Sequence, residues 1–343
     1  MKPIRTFPDW PVGRVITLEH DSTVLRDNPW GDPHRRLVHV YVPPGYDEEP
    51  DRRYPAFWDL VGYTGSGASH IAWRNFQENV PDQVDRLIHE GKMGPVVVVF
   101  PDCFTSLGGN QYINSSAIGP YADYLLKELI PFVDTQVRTL ADRKHRGVFG
   151  KSSGGYGAII HGMRYTDYWG GIADHSGDAY FDFVYRSAFP SDATELAKHD
   201  RDVGKFLKHF WKQKKPTTRE VHTLMNICMA ASYDPDPEAE LGFHLPFDLY
   251  TGAVDESRWA NWLEHDPVKL VDRYADNLRR LEAIYIDCGF KDQYHIQYGC
   301  RMLSEQMKAL GIQHFYEEFD DDHSSVDYRM DVSFPYLYER LKP

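Results

Sequence analysis

Between Arg146 and Ile160 the chain reads RGVFGKSSGGYGAII, two adjacent serines among glycines after a short apolar run. Gly150-Lys151-Ser152-Ser153-Gly154 satisfies G-x-S-x-G with Ser152 at its centre. It lies between an expected strand, GVFG, and an expected helix, GYGAIIHGMRY, the context a nucleophilic serine needs. The demand is steric: such a serine sits on a strained turn, and small residues two positions either side let strand and helix backbones pass closely. Ser153 fails this test because Lys151 stands two residues before it. The Ser153 amide instead follows the nucleophile into the helix start, where it can donate to an oxyanion. A phosphate-binding loop is the competing reading of GKSS, but G-x-x-x-x-G-K-[ST] needs glycine where His145 stands.

A serine hydroxyl is a poor nucleophile unless a base takes its proton, and that base needs a carboxylate to hold its tautomer. Both are expected downstream. YIDCGFKDQY offers Asp292 just beyond a strand end, and FDDDHSSVDYR offers His323 after the last strand. Asp287 lies inside the strand run and reads as structural. His295 and His314 fall within an expected helix and strand, whereas His323 opens a loop. Loops at the carboxyl ends of parallel strands are where such a sheet places its chemistry. After the third strand, WDLVGYTGSG supplies a glycine-rich turn for a second oxyanion donor. The Tyr63 amide is the candidate, Gly62 permits close approach, and the Gly62 amide is next in line. Tyr63, Tyr156 and aromatics of a later insertion are candidates to line a substrate pocket.

The elements that must position these residues follow from periodicity. Eight β-branched and aromatic runs recur: RVITLEH, RLVHVYVPPGY, YPAFWDLVG, GPVVVVFPD, RGVFG, GGIADHSG, AIYIDCG and HFYEEF. VVVVFPD has no polar alternation, as expected of a strand buried on both faces of a mostly parallel sheet. Helices are expected at 81–89, 121–134, 155–165, 268–281, 294–310 and 334–341. This alternation predicts an α/β fold with helices on both faces of one sheet. From about Asp178 to Asp266 the rhythm breaks, and that stretch is expected to be a mainly helical, cap-like insertion within a single domain spanning 1–343.

The chain has 38 basic and 51 acidic residues, a formal charge of −13, so a phosphate backbone would be repelled. No apolar run is long enough to span a bilayer. Neither nucleic acid nor a membrane is an expected partner; a small-molecule ester is, and a homo-oligomer stays open. The start, MKPIRTFPDWPVG, lacks the apolar segment of a secretory signal, so a cytoplasmic location is expected. Cys103, Cys228, Cys288 and Cys300 are scattered without a CxxC pair, which suggests buried thiols rather than a zinc knuckle or a disulfide framework.

The segments HRRLVHVYVPPGYDEEPDRRYPAFWDLVG, VVVVFPD, GGNQYINSSAIGPYADYLLKELIPFVD, GVFGKSSGGYGAI, GFKDQY and DDDHSSVDYR together resemble the esterase family of α/β-hydrolases. That family takes in S-formylglutathione hydrolase (esterase D), enterochelin esterases, feruloyl esterases and the antigen 85 mycolyltransferases. The resemblance covers most of the chain outside 178–266. It implies an α/β-hydrolase fold, a Ser-Asp-His triad on Ser152, Asp292 and His323, and no metal or organic cofactor. Two departures stand out: Val61-Gly62 replaces the His-Gly or Asp-Gly frequent at the oxyanion turn, and the insertion is longer than in compact members such as esterase D. A serine carboxylesterase is therefore the expected activity. A formylglutathione-type thioesterase using the same triad and a catalytically idle binding module are the alternatives.

Overall fold

The computed structural model describes residues 8–343, so the reading of the amino terminus rests largely on residues outside that range. All eight expected runs form strands of one sheet: β1 (Arg14–Asp21), β2 (Arg35–Val42), β3 (Ala56–Leu60), β4 (Val97–Pro101), β7 (Arg146–Lys151), β8 (Gly171–His175), β9 (Ala283–Gly289) and β10 (Phe315–Phe319). A two-residue hairpin, β5 (Asn114–Ser115) with β6 (Gly119–Pro120), lies apart from it. The order across the sheet is β1-β2-β4-β3-β7-β8-β9-β10. β2 runs antiparallel to β1 and β4, and every other neighbour is parallel.

The uninterrupted apolar run of β4 is buried along its whole length. Because successive side chains alternate across a strand, its residues serve two cores. Val97 and Val99 join Trp58, Val148, Ile172 and Ile286 on one face. Val98 and Phe100 join Phe57, Phe149 and Tyr285 on the other, under helices Val80–His89 and Met330–Leu341. The outer strand β1 is solvated, with exposed and half-buried residues alternating.

Two expected helices differ in detail. The one begun at Tyr121 runs to Gln136 but passes through a π-helical stretch, Tyr124–Leu129. The one expected at 268–281 divides into Pro267–Leu270 and Ala275–Arg279; the first piece is capped by Asp266, whose carboxylate accepts from Val268 N at 3.0 Å.

Between β8 and β9 the chain is helical, as the broken rhythm suggested, but the helices continue past Asp266 to Arg279. Their aromatic side chains bind this region to the sheet. Tyr185, Tyr233 and Trp262 pack together, and Phe181 stacks on Tyr233 at 5.1 Å. All belong to the same apolar core as Trp58 and Ile172. The four cysteines are free and buried. Among the described residues no helix is long and apolar enough to cross a membrane.

The sheet brings the carboxyl ends of β3, β4, β7, β8, β9 and β10 to one edge. There it leaves Gly62, the loop 102–112, Ser152, Asp178, Asp292 and His323, each just after a different strand.

Candidate active site

Ser152 sits between β7 and helix Ser153–Arg164 with φ 60° and ψ −125°, a backbone conformation a non-glycine residue holds only when its surroundings enforce it. The enforcement is visible on each side. Ser152 N donates to His175 O on the adjacent strand at 2.9 Å, and Tyr156 N donates to Ser152 O at 2.8 Å. A Cβ on Gly150 or on Gly154 would collide with the Leu60 carbonyl oxygen of β3, so the flanking glycines are a steric requirement of this turn. Ser153 is the first helical residue, and its amide belongs to the first turn, which has no intrahelical carbonyl to bind.

On the neighbouring strand ends, His323 Nδ1 faces Asp292 Oδ2 at 2.7 Å, with both residues buried. A carboxylate can only accept here, so Nδ1 carries the proton and Nε2 is left as the basic atom. Three further contacts fix the pair. Tyr294 N donates to Asp292 Oδ1 at 2.8 Å, His323 N donates to Gln293 Oε1 at 3.0 Å, and the Tyr294 ring stands edge-on to the imidazole at 4.9 Å. The structure thus brings Asp292 and His323 into contact. Ser152 Oγ makes no hydrogen bond of its own among the described residues.

The turn after β3 lies against the serine. A Cβ on Gly62 would be 3.2 Å from Lys151 O and 3.5 Å from Ser152 Cβ. Thr64 N is committed to Gly108 O at 2.9 Å, which leaves the Gly62 and Tyr63 amides as the turn's candidate donors. The Tyr63 ring lies over Gly108 and Gly109, and its hydroxyl donates to Leu107 O at 2.8 Å, bracing the loop after β4. Gly62, Tyr63, Gly109, Gln111 and Ser153 line a narrow crevice beside the serine.

Tyr156 is placed differently from the expectation that it lines a pocket. It is fully buried, its hydroxyl donates to His265 O at 3.1 Å, and its ring packs on Phe181 and Tyr233. Its position one turn into the helix points it into the aromatic core that holds the helical region, away from solvent.

Asp178 and the loop residues 110–112 escaped the sequence reading. Asp178, just after β8, accepts from Tyr185 Oη at 2.6 Å, Gln111 Nε2 at 3.2 Å and Ser153 Oγ at 3.5 Å. Burial pushes its carboxyl up, and the hydrogen bond from Tyr185 and the charge of His323 act against that. Gln111 and Tyr112 have φ of 55° and 57°, two consecutive left-handed residues. Asn110 holds them by accepting from Tyr112 N at 2.8 Å and donating to Cys103 O at 2.5 Å. GGNQY after VVVVFPD was the available signal, since glycines and an asparagine at a strand's carboxyl end announce a shaped loop. Asp178 carried no signal beyond its place after β8.

A mostly parallel sheet of this order, with a strained serine after one central strand and an Asp–His pair after two later ones, is the architecture of the α/β-hydrolases. The chain belongs to the family described as "Putative esterase", whose match spans residues 33–333. It is 33% identical over 91 residues to an esterase of Mycobacterium tuberculosis, a stretch covering 25% of this chain and 19% of that protein. The matched stretch thus spans about a fifth of that curated relative's length. Among solved structures, a ferulic acid esterase superposes with a TM-score of 0.60 at 18% identity, covering 96% of this chain and 99% of its own. An S-formylglutathione hydrolase from Agrobacterium tumefaciens superposes at 0.59 with 18% identity, covering 97% and 98%. At such identities the likeness to these structures is one of fold.

Proposed function

We propose that this protein is a serine carboxylesterase that works through an acyl-enzyme. His323 Nε2 takes the proton of Ser152 Oγ as the oxygen attacks the ester carbonyl, while Asp292 holds the imidazole tautomer and stabilises the imidazolium. The amides of Ser153 and of Tyr63, or Gly62 beside it, receive the oxyanion. The imidazolium returns its proton to the departing alcohol. Water, deprotonated by the same His323, then releases the acid and frees Ser152. The helices between β8 and β9 serve as a cap, fastened to the site through Asp178, Gln111, Tyr185 and Tyr233.

The observation that carries this reading is the backbone of Ser152, forced into a strained turn by β3, β8 and two glycines at the sheet edge that also holds the Asp292–His323 pair. The test is hydrolysis of nitrophenyl esters from acetate to palmitate, with a glutathione thioester alongside, by the parent and by Ser152→Ala. Turnover of at least one oxygen ester, lost in the variant, is expected. Turnover that survives in Ser152→Ala would refute the assignment, and turnover of the thioester alone would replace it with a thioesterase.

A further inference from the structure

One helix of the inserted region, Thr218–Tyr233, touches both the loop that lines the serine crevice and the loop that carries Asp292. At its carboxyl end, Tyr233 Oη accepts from Gln111 Nε2, in the loop after β4, at 2.8 Å. Near its amino end, His222 Nε2 lies 3.1 Å from the hydroxyl of Tyr294, in the loop after β9. Residues 222 and 233 are ~16 Å apart along the helix axis, so the helix straddles the site.

This helix is firmly held. A capping box of Thr217 and Glu220 closes its start, and Thr223 Oγ1 donates to the buried Asp192 at 3.0 Å, with Arg219 and Asn226 on the same carboxylate. Burial, and then the charge of Arg219, hold the His222 ring below its ordinary value, so at neutral pH Nε2 is an acceptor for the Tyr294 hydroxyl. Tyr294 is thereby fixed at both ends. Its amide donates to Asp292 Oδ1 at 2.8 Å, its hydroxyl reaches His222, and between them its ring stands edge-on to the His323 imidazole, with centroids 4.9 Å apart. Asp292 grips the imidazole only at Nδ1, and one hydrogen bond leaves a ring free to pivot about it. The tyrosine ring blocks that pivot. A phenylalanine in its place would offer the same ring without the second anchor.

We infer that His222 is a positioning residue for the base: through Tyr294 it sets the orientation of the His323 imidazole toward Ser152, so the inserted region takes part in the chemistry as well as covering the site. The link to turnover rests on the esterase reading. The first test needs no turnover. The proton between His323 Nδ1 and Asp292 is followed by downfield proton NMR and assigned by its loss in His323→Gln. In Tyr294→Phe and His222→Leu it should exchange with water at least about threefold faster, the worth of one hydrogen bond. The proton of the buried His175–Asp287 pair should keep its rate and so report that the fold persists. Both altered residues are half-buried, which keeps the substitutions mild. An unchanged His323 proton overturns the inference, and so does equal acceleration of both protons.

The second test separates kcat from KM on an ester that the parent turns over. Tyr294→Phe and His222→Leu should each lower kcat about three- to tenfold, with KM within about twofold. The double variant should be no slower than either, because the two residues act through one contact. His222→Gln keeps an acceptor and should recover most of the rate. Parent-like kcat in both single variants, losses that multiply in the double variant, or a change in KM alone contradicts the inference. If the parent turns over no ester, the esterase reading has failed, while proton exchange still decides whether His222 holds the imidazole.

Discussion

Two sets of serine, histidine and aspartate among the described residues invite comparison, and the better-bonded one is buried inside the fold. Asp287 Oδ1 lies 2.7 Å from His175 Nδ1, and His175 Nε2 lies 2.9 Å from Ser333 Oγ, an unbroken hydrogen-bonded chain. All three residues are 0–1% exposed. Ser333 lies inside the regular helix Met330–Leu341, and the other oxygen of Asp287 is taken by Arg329 Nε at 2.9 Å and Tyr285 Oη at 2.8 Å. Five residues on from Asp287, Asp292 lies past the strand end and pairs with His323 on a loop. The difference teaches that the hydrogen-bonded chain alone does not make a catalyst. On the proposed reading, access, a strained backbone and unspent amides where an oxyanion would develop separate Ser152 from Ser333. The buried set has a mechanical part to play, since the His175 carbonyl holds the Ser152 amide.

Breaking the comparison at its two aspartates should have the largest effects, of opposite kinds. Asp292→Asn should lower kcat by about 10²–10⁴-fold, because the imidazole loses the partner that sets its tautomer, with a melting temperature near the parent's. Asp287→Asn should leave a weaker fold, losing about 2–3 kcal/mol in denaturant unfolding, because Arg329 loses its buried partner and keeps only the half-exposed Glu317. If Asp287→Asn instead abolished turnover in a fully stable protein, the roles of the two aspartates would have to be exchanged.

A smaller effect separates the serines. Ser333→Ala should cost about 1–3 kcal/mol through the unpaired His175 nitrogen and leave most turnover at temperatures where the fold persists.

The same strand that holds His175 sharpens the picture through pH. Burial raises the Asp174 carboxyl to about 7, although Gly177 N donates to it. A folded value above the unfolded one means that the native state binds the proton more tightly. Stability from this group is therefore full below about pH 4 and falls as pH rises toward 7, by an amount on the order of a few kcal/mol. Asp174→Asn should raise the melting temperature more at pH 8 than at pH 5. An equal shift at both would show that the carboxyl is ionised throughout. The smallest expected change is Tyr156→Phe, which removes one hydroxyl contact to His265 O and should cost about 1 kcal/mol with kcat unchanged, as befits a packing residue.

Much of this arrangement was legible in the sequence because it rests on local constraints. G-x-S-x-G needs its glycines for a clash with Leu60 that any parallel neighbour would impose, and the alternating strand runs place Asp292 and His323 past strand ends. The choice of Asp292 over Asp287 followed from the same logic: a residue inside a strand points into a core. The roles of Asp178, Gln111 and Ser333 were hidden, because they depend on contacts between segments far apart in the chain, such as Ser333 with His175. Tyr156 was misplaced for a related reason. Its helix is buried between the sheet on one side and the helical region between β8 and β9 on the other, and no local pattern around Tyr156 announces the second layer.

The most direct test of the central claim is labelling with a fluorophosphonate followed by peptide mapping. The account predicts a single adduct on Ser152, absent from Ser152→Ala and strongly slowed in His323→Ala. An adduct on Ser333, or no adduct in a folded parent, would contradict it.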